Sequence, residues 1–551
     1  MLLCLWKRWK RLGQSKLCGY SIGAKNINMK LKKIIDNLSG AIKIDGDTSL
    51  DIKEITSDSK AVKEGDLFAA LKGAKFNGAD FIEEAIDRGA WAVLLESGSG
   101  EIFRRGATFI YVKDARFALS EVCRVFYDNI SKRMRLIGIT GTNGKTTITY
   151  LIESLFNSQN KDIGVISTVN YRFGKRLIPA INTTPGILDI HSFLNSMEKE
   201  KIADCVMEVS SHALEQKRVE TLLFDIAIFT NLTREHMDYH KNMEDYLKAK
   251  IKLFTKIKTE GFAIINIDDP VSKRIIEHVK SVNMARIITY GIDGDADVCA
   301  KDIGFSFDGL RFDAEYQMTE NREQRTENTP RLRPSTVLGT DSGQGEQKTE
   351  GAIKIESSLI GRHNVYNILA VVATGIAMGM KIEDVKNGVE SLRSLPGRLE
   401  KIVSNKDFSV YVDYAHTENG LENVLKALRE LKPKRLISVF GCGGDRDRSK
   451  RPCMGRISTE LSDKVFITSD NPRTEEPMDI INEIIKGIDA KKDNYVIEPD
   501  RFNAIKEALL EAQKGDIVLL AGKGHETYQI FKNFTQPFDD REVVRRILEG
   551  V

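Results

Sequence analysis

The chain has 551 residues, enough for about three or four domains. With 41% hydrophobic, 29% charged and 7% aromatic residues it reads as globular, and no run approaches the roughly 18 uninterrupted apolar residues of a membrane helix. A net charge of +3 is small against 82 basic and 79 acidic side chains, which argues against a nucleic-acid partner.

The first 28 residues carry six basic and no acidic side chains, leaving 76 basic against 79 acidic in the body. A signal peptide places its charges before an apolar core of about 7–15 residues, whereas here the charges follow a short apolar start. We expect a dispensable leader, with Met29 opening the first domain; a weak amphipathic membrane tether is the alternative. The seven cysteines are scattered and form no C-x-x-C pair, so neither a zinc site nor a disulfide framework is signalled. A reducing, cytoplasmic compartment follows.

Residues 29–132 read as a small mixed α/β module. Beyond it, Leu136–Thr140, Gly164–Ser167, Ala203–Val209, Ile226–Thr230 and Ala263–Ile267 are β-branched runs separated by amphipathic stretches. That alternation predicts a parallel sheet with helices on both faces. Gln317–Gly351 has four apolar residues and no aromatic, too little to offset its ordering entropy, and is expected to be a disordered insertion between strands Leu310–Tyr316 and Ala352–Ser357. A second α/β series follows: Ser409–Asp413, Leu436–Phe440, Lys464–Thr468 and Asp516–Leu520. Each run ends in a polar or Gly-rich segment, and open α/β sheets bind ligands outside the carboxyl ends of their strands.

The strongest chemical signal is Gly141-Thr142-Asn143-Gly144-Lys145-Thr146-Thr147, set between the strand RLIGIT and a helix. Glycines let the backbone wrap anionic oxygens, and the helix N-terminus adds amide donors. Lys145 would reach the β/γ-phosphates and the Thr146 hydroxyl a Mg²⁺ ion. Ile139 stands where a strict P-loop has glycine. Glu208, at the end of a buried strand, could hold the metal opposite Thr146. His236, in a loop after another strand, is either a ligand or a plain loop histidine.

The ordered set GTNGKTT, NTTP, MEVSSHAL, FTNLTREHMDYH, GRHNVYN, LPGR, DYAHT and GCGGDRD resembles the Mur ligase family of ATP-dependent amino-acid ligases. The likeness runs from about Met29 to Val551, apart from the insertion. It implies an α/β chain of three domains: a UDP-binding domain at 29–132, a central P-loop-type ATP-binding domain at 133–395, and a Rossmann-like, amino-acid-binding domain at 396–551. Ser57, Ser59, Ala74, Lys75 and Phe76 then align with uridine-nucleotide contacts, and Lys60 stands where the family has arginine. Asn182, Thr183, Thr184, Ser210, Gln216 and Arg218 align with positions holding the muramoyl dipeptide. Asn364, Arg398 and Asp413 join the P-loop around ATP. His363 replaces the usual Phe, and Glu418 the usual Pro.

The resemblance further implies that Lys250 is carbamylated and, with Thr146, Glu208 and His236, holds Mg²⁺; nothing in the residues alone reveals this. Asp470-Asn471-Pro472-Arg473 matches members that add diaminopimelate, with Arg446, Gly522 and Glu526 as the other contacts. The physics agrees: a guanidinium binds the second carboxylate of meso-diaminopimelate in a bidentate fork and repels the terminal cation of lysine. The implied substrates are ATP, UDP-N-acetylmuramoyl-L-Ala-D-Glu and meso-diaminopimelate. The γ-carboxylate of D-Glu would take phosphate from ATP, and the amine would then attack the acyl phosphate. We expect a monomer with no membrane span. Two rival readings stay open: a sister ligase, adding lysine or D-Ala-D-Ala or glutamate to folate, and a non-catalytic nucleotide-binding paralogue. DNPR with GKGHE speaks against the first, and the presence of Lys145, Glu208 and Lys250 against the second.

Overall fold

The computed structural model describes residues 28–73, 76–98, 106–237, 239–282, 284–320 and 347–550. Residues 1–27 of the expected leader, Ala74 and Lys75, and residues 321–346 of the expected insertion lie outside the described residues. The chain is mixed α/β and divides into two compact units. One takes the described residues up to Ile137 together with Ile163–Asp225; the other takes Gly138–Asp162 and everything from Ile226 onward.

In the first unit a five-stranded sheet runs in the order Ala41–Asp45, Thr108–Val112, Ala90–Glu96, Asp66–Ala69, Ile55–Thr56. Its first pair is antiparallel and the rest parallel. Side chains from alternate positions, Val93 and Leu95 with Phe68 and Phe109, fill one apolar cluster. The same unit holds the strands Gly164–Ile166 and Asp204–Glu208, paired in parallel as the β-branched runs predict. It adds an antiparallel hairpin, Asn170–Phe173 with Arg176–Pro179, that the sequence reading did not anticipate. The signal was there: buried Tyr171 and Phe173 alternate with Arg172, and Gly174 turns the chain at φ +52°.

In the second unit Ile257–Asn266, Arg286–Gly291 and Val298–Ser306 are parallel. The sheet then continues antiparallel through Gly309–Glu320 and Gln347–Ser357. These last strands overrun their expected ends and stay in register to Glu320 opposite Gln347. A β-ladder satisfies backbone N–H and C=O groups whatever the side chains, so polar composition alone did not end the strands at Tyr316 and Ala352.

The same unit carries a six-stranded sheet in the order Glu400–Ile402, Ser409–Asp413, Ile517–Ala521, Leu436–Phe440, Lys464–Ile467, Tyr495–Ile497. Only the first pair is antiparallel. Period two sorts its side chains. Tyr411, Leu436, Phe440, Ile517 and Leu519 face Leu425, Met454 and Ile481, while Val410, Val412, Ile437, Val518 and Leu520 face Ile505, Ala508 and Val544. Helices therefore cover both faces, and the loops after the parallel strands gather along one edge, as the sequence led us to expect. No helix among the described residues is long and apolar enough to cross a membrane.

Candidate functional site

The glycine loop Gly141–Gly144 joins the strand Arg135–Thr140 to the helix Lys145–Ser158. Gly141 sits at φ +146° and Gly144, the helix N-cap, at φ +90°. A Cβ at Gly141 would collide with Thr230 Oγ1, and one at Gly144 with Asn367 Oδ1. Both positions thus demand glycine twice over, by conformation and by space. The loop is clamped from the end of the strand Phe224–Phe229: Thr142 N donates to Asn231 O (2.9 Å), Asn143 N to Asn231 Oδ1 (2.9 Å), and Thr230 Oγ1 to Asn143 O (2.6 Å). Lys145 Nζ folds back onto the carbonyls of Gly141 (2.9 Å) and Thr142 (2.7 Å). The Thr146 hydroxyl lies buried at the helix start.

The structure brings Asn364 to this loop through a neighbour the sequence reading missed. Asn367 Nδ2 donates to Asn364 Oδ1 (2.8 Å), while Asn367 Oδ1 covers Gly144. Asp413 is buried and accepts from Leu399 N (2.6 Å) and Ala415 N (2.7 Å). Arg398 lies over the Tyr414 ring, 4.8 Å from its centroid.

His236 adopts φ +59°, rare for a residue with a side chain. Among the described residues eleven non-glycine residues have positive φ, and five lie in or beside candidate site segments: Lys217, His236, Leu399, Asp445 and Arg473. Such strain concentrates where geometry serves binding. His236 stands edge-on to Tyr246, whose hydroxyl is 3.3 Å from Thr142 Oγ1. Over the same ring, 4.2 Å from its centroid, lies the amine of Lys250, a side chain only 2% exposed. Burial and then neighbouring Lys145 hold that amine well below the usual lysine range, against the pull of Glu235. Glu235 lies 3.8 Å from both His236 Nε2 and His416 Nε2. His416 is pushed down to about 4, by burial first and then by Lys450, so it is neutral at pH 7. The sequence reading quoted Glu235 and His416 within their motifs but gave neither a role, because their meeting is a tertiary fact.

In the first unit, Glu208 is fully buried at the end of its strand. It accepts from Thr168 N (3.0 Å) and Thr168 Oγ1 (2.9 Å), one on each carboxylate oxygen. Thr168 Oγ1 also lies 3.2 Å from Thr183 Oγ1, from which it can accept. Thr184 Oγ1 donates to Glu208 O (2.8 Å) and receives Ser210 N (3.0 Å), and Ser210 caps the helix Ser211–Glu215. Arg218 donates to Thr184 O (2.6 Å) and, through Nε and Nη2, to Gln216 Oε1. Asn182 is tied through its backbone to Tyr171. The structure brings Asn182, Thr183, Thr184, Ser210, Gln216 and Arg218 together, with Thr168 a member the sequence did not single out. Ser59, by contrast, spends its hydroxyl on Glu84 (2.7 Å), while Ser57 and Phe76 are exposed.

The loops after the six-stranded sheet form a second cluster. Arg473, at φ +53°, donates through Nη1 to Gly444 O (2.8 Å), which among the described residues leaves Nε and Nη2 for an anion. Asn471 Nδ2 donates to Glu526 Oε2 (2.8 Å). Asp470 Oδ2 is buried without a hydrogen-bond partner among the described residues, and a Cβ on Gly522 would lie 2.6 Å from it. Pro472 packs its carbonyl against Gly444, and Arg446 is exposed in the same glycine-rich loop. Fully buried Arg451, not anticipated, welds the two loops together: it grips Glu475 with both Nη atoms (2.9 and 2.8 Å), Glu483 (2.7 Å) and Gly443 O (3.2 Å), while Glu475 accepts from Asp445 N (2.6 Å).

Residues 51–127 match the Mur ligase family catalytic domain, 139–375 the Mur ligase middle domain, and 397–524 the Mur ligase glutamate ligase domain. A UDP-N-acetylmuramoyl-L-alanyl-D-glutamate–2,6-diaminopimelate ligase of Clostridium acetobutylicum is 42% identical, over 95% of this chain and 99% of that protein. One of the same name from Solibacter usitatus is also 42% identical, over 91% and 94%. A solved structure of an enzyme with this name aligns with a TM-score of 0.64 at 31% identity, covering 95% of this chain and 99% of the other.

Proposed function

The chain belongs to the Mur ligase family, and we propose that it is an ATP-dependent ligase joining meso-diaminopimelate to the D-Glu γ-carboxylate of UDP-N-acetylmuramoyl-L-Ala-D-Glu. The observation that carries this reading is Arg473, held through one nitrogen at the end of a parallel strand, beside Asn471 and Glu526. A free guanidinium edge suits the distal carboxylate of diaminopimelate, and the acidic pair Asp470 and Glu526 suits its distal ammonium. We assign the domains as 29–132, 133–395 and 396–551, with the protein working as a cytoplasmic monomer.

ATP is assigned to Gly141–Thr147, with Asn364, Arg398 and Asp413. The loop amides and the helix N-terminus face the phosphates, and Lys145 swings from the loop carbonyls onto them. The muramoyl dipeptide is assigned to Asn182, Thr183, Thr184, Ser210, Gln216 and Arg218, with Arg218 offering the cation for a carboxylate. Ser57, Ser59, Ala74, Lys75 and Phe76 are assigned to the uridine nucleotide.

Among the described residues no three His, Cys, Asp or Glu side chains stand together as a metal cage. Mg²⁺ takes one or two protein ligands and fills its shell with phosphates and water. Thr146, Glu208, His236 and Lys250 are the residues assigned to it, and when bound it would neutralise charge on the transferring phosphate. Lys250 fits this set as a carbamate. Burial and neighbouring Lys145 favour the neutral form of its amine, and a neutral amine adds CO₂ and releases one proton to leave an anionic ligand.

The reaction needs no protein nucleophile. The γ-carboxylate attacks the γ-phosphate, ADP leaves, and the amine of diaminopimelate displaces phosphate from the acyl phosphate to form the amide. Lys145 spreads the charge that develops on the phosphoryl oxygens. The test is phosphate release by purified protein with ATP, Mg²⁺ and UDP-N-acetylmuramoyl-L-Ala-D-Glu, comparing meso-diaminopimelate with L-lysine. Release with diaminopimelate alone is expected. Release favouring lysine would overturn the substrate assignment, and none with either would overturn the ligase assignment.

A further inference from the structure

The segment Gly522-Lys523-Gly524-His525-Glu526 contributes more than its glycine and glutamate. Lys523 is 0% exposed, an extreme burial for an ammonium group. Its Nζ lies 3.3 Å from Asn471 Oδ1 and 3.3 Å from Glu526 Oε2. Asn471 closes the triangle, donating through Nδ2 to the same Glu526 oxygen at 2.8 Å. Ile530 N also donates to Asn471 Oδ1 (2.9 Å), so two donors meet the carbonyl end of that amide and leave its NH₂ end facing Glu526.

We propose that Lys523 is a positioning residue of the amino-acid site, fixing the orientation of Asn471 and supplying the positive charge against which the Glu526 carboxylate is held for the substrate's ammonium group. The proposal rests on the reading in which this site takes diaminopimelate. Without a cation here, Asp470 and Glu526 would be two crowded carboxylates in a largely buried place, and one of them would take up a proton. A protonated Glu526 no longer attracts an ammonium group.

The charged and titratable groups around Glu526 are Asp470, Lys523, Arg501, Tyr414 and Tyr528. Burial, then Asp470, pushes the Glu526 carboxyl above the usual range, and Lys523 and Asn471 oppose that rise. Arg501 is already committed to Asp540, with both side chains fully buried. Lys523 is thus the cation whose loss Glu526 would feel.

The experiment is steady-state kinetics of Lys523→Met against the native chain, as a function of pH from 6 to 9, with meso-diaminopimelate varied. The native chain is measured first: if it does not use diaminopimelate, the substrate reading fails on its own and Lys523 is not implicated. If it does, K523M should raise KM for diaminopimelate at least tenfold at pH 7 and leave kcat and KM for ATP within about threefold. Its KM should recover as pH rises, because Glu526 now ionises later. In a Glu526→Gln background the same change should raise KM clearly less than in the native background, since no carboxylate remains to be held and only the orientation of Asn471 is affected. K523R, which keeps the cation, should keep the native pH profile. A K523M enzyme with an unshifted pH profile would overturn the proposal, as would an equal effect in the E526Q background. Should K523M not fold, Lys523→Gln carries the same expectation, and loss of folding in both variants would make Lys523 merely structural and overturn it.

Discussion

The nucleotide loop and the amino-acid loops are built on opposite principles. Gly141–Gly144 takes its shape from backbone: two glycines at positive φ, carbonyls that hold Lys145, and amides clamped by Asn231. The amino-acid loops take theirs from buried charge: Arg451 on Glu475 and Glu483, and Lys523 on Glu526. A backbone-built site is written in adjacent residues, since its conformation depends on glycines at fixed spacing. A charge-built site also draws on residues tens of positions apart, as Arg451 does on Glu475 and Glu483. It also stands on narrower ground, because removing one partner strands a buried charge and costs several kcal/mol.

That contrast is broken most sharply at Gly141. Gly141→Ala adds a Cβ at φ +146° that collides with Thr230 Oγ1, forcing the loop to move. A displacement of about 1 Å in a positioning element costs on the order of 100-fold. We expect kcat/KM for ATP to fall by about that factor while the preference for diaminopimelate over lysine stays intact. A lost preference would show that the two sites are not independently built.

Arg473→Ala tests the other side. Loss of a charge-assisted contact of about 1.5–3 kcal/mol should raise KM for diaminopimelate roughly 10- to 150-fold. KM for ATP should not move, and the preference over lysine should collapse. An unchanged KM for diaminopimelate would remove Arg473 from the site.

The same contrast explains what was legible in the sequence. The parallel strands, the two-faced burial of the six-stranded sheet and the P-loop all rest on local patterns, of period two or of glycine spacing, and were read directly. The Asn182–Arg218 cluster and the Arg473 loop came through resemblance, since no local rule joins Thr184 to Arg218 across 34 positions. Thr168 and Arg451 were invisible for the same physical reason, and Glu235, His416 and Asn367 lay inside quoted motifs with nothing to single them out. Each matters by what it touches, and an arginine in a helix is far more often solvated than fully buried between two glutamates. Lys250 is the instructive intermediate: flanked by Lys248 and Lys252 it reads as a charged helix face, yet only its burial over Tyr246 marks it out.

The finest probe of a charge-built loop lies at Glu475. Its hydrogen bonds from Arg451, with a further one from Asp445 N–H, outweigh burial and lower its carboxyl to about 2. A carboxyl depressed in the folded state favours folding at pH values above its unfolded pKa of about 4.3, and that contribution fades as pH falls toward the folded value. Glu475→Gln keeps the shape and removes the charge. The variant should therefore be less stable than the native chain at pH 7, by the same margin down to about pH 5. The two urea midpoints should then converge between about pH 4 and pH 2, as protonation of native Glu475 removes its advantage. A gap that persists to pH 2 would mean that the substitution disturbs packing rather than charge, and the weld between the loops carrying Arg446 and Arg473 would not be electrostatic.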